Sequence, residues 1–256
     1  MRRNNSAFRF LPGFCILLLI TVFANPGFAQ GQQTPQQAYT FSYVQVKPGM
    51  ELEFEELVKN KIPFLKKMGL TQMSIFKTSN FGVSGKYLIV GPAQDPAAID
   101  KELSAPQTNI PTELVTALSG ISRTVVSTHD FMVISQPDLN IPPAEDYEMK
   151  LAVHITIGTA PGREEDFKKV AKKAVEAMGK TKVKGILVGK VGIGGKLDEY
   201  IMDVFYDSYK EMFDNEPAVQ KELAAADLSS ASDVVYYRDS EVLVRIPELC
   251  VQPPAQ

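Results

Sequence analysis

The chain writes one pattern twice, and that repetition limits its fold more than any local propensity. Pro48-Gly49 followed by Phe54 returns as Pro161-Gly162 followed by Phe167, 113 residues on. Met68-Gly69 returns as Met178-Gly179, and Gly82-Val83-Ser84-Gly85-Lys86 as Gly192-Ile193-Gly194-Gly195-Lys196, both at a spacing of 110. Pro137-Asp138-Leu139 then matches Pro247-Glu248-Leu249, again at 110. Markers in one order at a nearly fixed interval imply a duplicated module of about 110 residues. The division that follows is a first repeat over residues 30–135, a linker over 136–148, a second repeat over 149–250 and a tail over 251–256.

The first 29 residues read as a targeting segment and stand apart from the fold. Arg2, Arg3 and Arg9 give a positive start, Phe14 to Ala24 an apolar run, and Gly27-Phe28-Ala29 a small-residue cleavage site. The run falls short of the roughly 20 residues that span a bilayer. Phe14 rather than a small residue precedes Cys15, which argues against a lipid anchor, and Asn4-Asn5-Ser6 fit a twin-arginine signal poorly. The expectation is a Sec-type signal peptide and a periplasmic or secreted protein with no membrane attachment after cleavage. An uncleaved anchor is the alternative.

Cleavage would remove three arginines and no acid, leaving 24 basic against 30 acidic side chains. No basic surplus remains to attract nucleic acid. Cys250 would be the one cysteine left, so no intrachain disulfide is available and stability must come from packing. Two histidines and one distal cysteine cannot make a Cys/His zinc site.

Within each repeat the periodicity predicts β-α-β-β-α-β. In the first, Ala38 to Val46 alternates as a strand, and Met50 to Met68 has apolar residues at helical spacing, with Pro63 expected to kink or split the helix. Gln72 to Thr78 and Lys86 to Val90 are strands, helices follow at Asp95-Pro96 and Thr112 to Leu118, and Ser122 to Ser135 is a closing strand. The second repeat predicts strands at Met149 to Ile157, Val183 to Val188, Glu199 to Phe205 and Val234 to Val244. Its helices fall at Arg163 to Met178, from Ser208, and at Val219 to Ala225. This order is the ferredoxin-like split βαβ. One such sheet carries helices on a single face, and a second copy can cover the other.

That architecture resembles the dimeric α+β-barrel superfamily, which includes antibiotic-biosynthesis-type monooxygenases, EthD-like and NIPSNAP-like proteins and haem-binding relatives. Here both units would lie in one polypeptide, forming an intramolecular α+β barrel over residues 38–249. Tyr209 to Val219, with Pro217 inside, is similar to the broken second helix of the small monooxygenase-like members. The resemblance bears on fold more than on activity.

Alternation places Leu151, Val153, Ile155 and Ile157 on one face of their strand and Ala152, His154 and Thr156 on the other. The 113 spacing sets His154 against Phe41, Thr156 against Tyr43 and Ala152 against Tyr39. Tyr39, Phe41, Tyr43, His154 and Thr156 are therefore the candidate ligand-binding residues, facing the space between the sheets. His154 and His129 are the candidate catalytic residues, since a neutral imidazole can take a proton near neutral pH. Plain barrel filling by the same side chains is the competing interpretation. No cofactor motif occurs, and haem held by a histidine is the alternative. The repeated glycine-rich segment fails as a P-loop: Asn80 and Lys190 stand where the leading glycine belongs, and Tyr87 and Leu197 where Ser or Thr belongs. A turn between strands is expected instead.

The expectation from sequence is an exported barrel that binds a small organic molecule, with a homo-oligomer as a further option. A cofactor-free monooxygenase- or isomerase-like enzyme and a non-catalytic interaction protein are the alternatives. Nothing in the residues decides whether it catalyses a reaction.

Overall fold

A computed structural model describes residues 37–67, 70–79, 85–93, 119–145 and 147–252. In the first repeat, β1 (Ala38–Val46) leads into α1 (Glu51–Lys67), followed by β2 (Ser74–Thr78), β3 (Lys86–Pro92) and β4 (Val125–Ser135). The second repeat has β5 (Leu151–Thr159), α2 (Glu164–Met178), β6 (Gly185–Val191), β7 (Glu199–Tyr206), α3 (Tyr209–Ala225), a short α4 (Ala231–Val234) and β8 (Val235–Arg245). The segments expected as helices at 95–96 and 112–118, the export segment and Met68-Gly69 lie outside the described residues.

The eight strands close into one antiparallel barrel in the order β1-β3-β2-β8-β5-β7-β6-β4. Each repeat contributes a four-stranded ferredoxin-like sheet, ordered β4-β1-β3-β2 and β8-β5-β7-β6. The sheets join at two seams. Phe76↔Arg245 to Thr78↔Leu243 form one, and Val133↔Val191 to Ser135↔Gly189 the other. Adding 113 to the β2 numbers and subtracting 110 from those of β8 turns the first seam into the second, so the duplication is also the barrel's pseudo-twofold symmetry. The seams are short: β8 from Val235 to Glu241 and β4 from Val125 to Phe131 pair with one strand only among the described residues.

A helix covers the outer face of each half. Phe54, Val58, Ile62 and Leu65 recur on one face of α1 and are buried, as are Phe167, Val170, Ala171, Val175 and Met178 on α2. The helices stack aromatic rings on their sheets in matching places, Phe54 on Tyr87 at 4.8 Å and Phe167 on Tyr200 at 4.4 Å. That pair fixes β3 against β7 at a spacing of 113. On the same spacing, Lys86 opens β3, whereas Lys196 precedes β7. The two glycine-rich segments are therefore alike in composition, but their lysines fall at different places relative to the strands. Gly85 and Gly194 take φ of 80° and 90°, the left-handed backbone that a side chain disfavours.

The repeated Pro-acid-Leu segments are the fold's clasp. Pro137–Leu139 and Pro247–Leu249 each form a 3-10 turn. Leu139, at the end of the first repeat, is buried among Phe167, Val170 and Ile186 of the second. Leu249, at the end of the second, is buried among Phe54, Val58 and Ile75 of the first. Paired backbone hydrogen bonds fasten both arms, Ile141 with Ile186 and Val251 with Met73. Each half thus completes the other's helix-facing core.

Three expectations need correction. Pro63 does not split its helix, and α3 runs unbroken through Pro217 rather than as two pieces. Both prolines lie on exposed positions, where a carbonyl that loses its helical partner can turn to water. The closing strand begins at Val125 rather than Ser122, because residues 119–124 are helical. There the Thr124 hydroxyl donates back to the Ile121 carbonyl at 2.7 Å.

Candidate functional site

Alternation along the closed strands turns one row of side chains from each into the barrel. Tyr39, Phe41 and Tyr43 come from β1, Phe76 from β2, Leu88 and Val90 from β3, and Phe131 and Val133 from β4. The second repeat adds Ala152, Val191, Ile201, Phe205, Leu243 and Leu187. These meet in an interior cluster separate from the two helix-facing cores. Eight strands give an interior that side chains nearly fill, with room for one small ligand.

A cavity of about 490 Å³ remains within it. Tyr39, Phe41, Phe76, Leu88, Ala152, Ile201, Phe205 and Leu243 form its apolar walls. Gln37, Gln72, Pro137 and Pro142 also line it and are exposed, so the cavity reaches the surface at the end of the barrel where the linker crosses. Among the described residues, Asp203 is the one acidic side chain on its wall, and no Lys, Arg or His lines it.

Asp203 belongs to a row that crosses the second sheet. Strand register places His154 beside Asp203 on one side and beside Glu241 on the other. His154 is 1% exposed, and its Nδ1 lies 2.6 Å from Asp203 Oδ1. Its Nε2 is buried without a hydrogen-bond partner. Phe41 and Tyr43 pack against the imidazole, both with ring centroids at 6.2 Å. The Tyr43 hydroxyl donates to Glu241 Oε1 at 2.5 Å, and Lys86 Nζ donates to Glu241 Oε2 at 2.7 Å. The same ammonium sits 4.2 Å above the Tyr43 ring. Burial first, then the Glu241 carboxylate, push the Tyr43 phenol well above its usual range, with Asp203 and Asp239 adding to the shift.

The duplication supplies an internal comparison. In the first repeat Phe41 pairs with Val90 on one side and Phe131 on the other. At the spacings set by the barrel, Val90-Phe41-Phe131 is the counterpart of Asp203-His154-Glu241. Where one half carries three apolar side chains, the other carries two carboxylates and an imidazole. Buried ionisable groups cost stability unless paired, and here each has a partner: His154 with Asp203, and Glu241 with Tyr43 and Lys86.

The residues anticipated from sequence separate here. Tyr39 and Phe41 line the cavity, while Phe41 and Tyr43 pack on His154. His154 stands behind Asp203 and is not itself a wall residue. Thr156 lies in the next inward row, between Ile201 and Asp239. His129 pairs with Tyr43 across β1 and β4 but is exposed, its ring 5.5 Å from that of Phe131, away from the cavity. Asp130 points to the opposite face and accepts a hydrogen bond from Ser42. Asp203, Glu241 and Lys86 were not foreseen. Asp203 is in phase with Ile201 and Phe205, so an acid in the inward row of an apolar strand was the available signal.

Among the described residues, the cavity wall carries no imidazole or thiolate for the axial position of a haem and no Arg or Lys for its propionates. The unpartnered His154 nitrogen is packed against two aromatic rings rather than lining open volume. Among the described residues, no group of three or more His, Cys, Asp or Glu is arranged to hold a metal ion.

No family model matches the sequence, and no curated sequence matches it. Solved structures do. A candidate monooxygenase from Fusobacterium nucleatum subsp. nucleatum superimposes with a TM-score of 0.59 at 11% identity, over 83% of this chain and 94% of its own. Another from Lactobacillus acidophilus gives 0.56 at 12%, over 85% and 96%. Chlorite dismutase from Candidatus Nitrospira defluvii, in complex with imidazole, gives 0.52 at 11%, over 84% and 93%. These share its fold: an α+β protein in which two ferredoxin-like sheets close one barrel, both sheets supplied by one chain. At such identities the likeness speaks for the fold alone.

Proposed function

We propose that this protein is an exported binder of a small, largely apolar organic molecule, held inside the barrel with one polar end at Asp203. The observation that carries the reading is the cavity of about 490 Å³, walled by aromatic and aliphatic side chains and ending at a single carboxylate. A few polar groups in an otherwise apolar concavity is the usual make-up of a small-molecule site. Solved barrels described as monooxygenases lend the same fold a precedent for small-molecule chemistry.

Naphthalene is a suitable neutral probe, because the chain has no Trp to obscure its fluorescence. The wild-type chain is expected to bind it saturably. Ala152→Trp and Leu187→Trp, both filling the cavity from its wall, should abolish binding while the cooperative melt persists. Failure of naphthalene to bind, or equal binding by both filled variants, would refute this.

A second reading is catalysis by proton transfer without a cofactor. His154 favours it: its imidazole pairs with the wall carboxylate Asp203, a short route for a proton between ligand and ring. Turnover of a bound ligand that survives His154→Phe unchanged would exclude it.

A further inference from the structure

We propose that the cavity selects ligands whose apolar body ends in a hydrogen-bond-donating head, a protonated amine above all, with Asp203 receiving the head and His154 acting as the positioning residue behind it. The inference rests on the cavity being a ligand site and adds the chemical class of the ligand.

Hydrogen-bond accounting points the same way. Asp203 Oδ1 is taken by His154, while Oδ2 bonds to no group among the described residues. His154 Nδ1 holds Oδ1 from behind the wall, while its Nε2 is packed against Phe41 and Tyr43 and lies out of the ligand's reach. Oδ2 is thus the open acceptor on the wall, and a donor arriving with the ligand gains a charge-assisted hydrogen bond there.

The surrounding charge sharpens the choice. Among the described residues, no Lys or Arg lines the cavity to balance an anionic ligand. Lys86, on the inward face of β3, is already engaged by Glu241 and by the Tyr43 ring. Around Tyr43 stand the carboxylates of Glu241, Asp203 and Asp239 and the ammonium of Lys86, which Glu241 already pairs. A carboxylate ligand would set like charge against Asp203 in a poorly solvated space. An ammonium group meets one uncompensated acceptor oxygen there. The apolar counterpart row, Val90-Phe41-Phe131, adds that the fold itself does not require these charges.

The experiment is a calorimetric titration of the full chain at neutral pH with four probes of one shape: naphthalene, naphthalen-1-ylmethanol, naphthalen-1-ylmethylamine and 1-naphthoate. The amine should bind at least tenfold tighter than the acid, with the alcohol between them. Asp203→Asn should bring the amine down to the affinity of the alcohol and leave naphthalene within a few-fold of wild type. His154→Phe should weaken the amine several-fold, and His154→Gln, whose amide can still donate to Asp203, should restore it. Asp203→Val, which copies Val90, provides a variant whose side chain the duplicated fold already accommodates. Acid binding as tightly as amine, or an amine preference that survives Asp203→Asn, overturns the proposal while naphthalene binding leaves the cavity reading standing. Equal affinities for the Phe and Gln variants overturn the positioning role. No binding by any probe overturns both.

Discussion

Leu249→Ala should destabilise the half of the molecule that Leu249 does not belong to. The side chain is 1% exposed and packs with Phe54, Val58, Ile75 and Tyr87 of the first repeat. Truncating a buried Leu to Ala costs about 2–5 kcal/mol, and the cost rises when the site cannot collapse onto the void. Collapse is restricted here because Ile246 N donates to Ile75 O at 2.9 Å and Val251 pairs with Met73 on both sides of the turn. We therefore expect about 3 kcal/mol. Leu139→Ala, 5% exposed in the opposite core, should cost a similar amount. The two cores share no residue, so the double variant should lose about the sum, near 6 kcal/mol. Equilibrium urea unfolding by circular dichroism measures all three, with each variant keeping a single transition because the barrel seams couple the halves. A loss below about 1 kcal/mol for either variant would refute the exchange of arms as a stabilising device. So would a separate early transition.

Pro63→Ala should raise stability, since proline in a helix interior costs about 3 kcal/mol relative to alanine and Pro63 is exposed; a lowered urea midpoint would contradict this. Glu164 predicts part of the acid limb: hydrogen bonding from Lys190, then from Tyr200 and Lys168, holds its carboxyl at about 2 against the opposing effect of burial. A depressed folded-state value means stability that is present above the unfolded value of about 4.3 and lost as pH falls towards 2. After allowance for its partial exposure, Glu164→Gln should flatten that limb by about 1 kcal/mol in pH-dependent melts; an unchanged limb would refute it. N-terminal sequencing of the protein from its native host should begin at Gln30, and a chain beginning at Met1 would argue against export with cleavage.

The fold was legible because the sequence repeats, and the repeat dictates pairwise closure. The strand at Ala38 to Val46 and the helix ending at Met178 fall where their periodicity places them. Prolines misled, because periodicity does not tell an exposed helical position from a buried one. The arm exchange was also invisible: Pro137-Asp138-Leu139 and Pro247-Glu248-Leu249 stand out as a repeat, but nothing local says that each leucine crosses to the other core. For the site, alternation along one strand was enough to turn Tyr39, Phe41, Tyr43 and His154 inward. Asp203 and Glu241 were missed because their rows meet His154 only through cross-strand register, which is long-range information. Applying the same alternation to Glu199 to Tyr206 would have exposed Asp203 as an acid on an apolar inner face.

The central claim is that the barrel interior is a ligand site ending at Asp203, and native mass spectrometry of the chain from its own compartment tests it most directly. The account predicts a co-purifying small-molecule mass on the wild type that is absent from Ala152→Trp. A bare chain mass that also gains no adduct on adding naphthalen-1-ylmethylamine would contradict it.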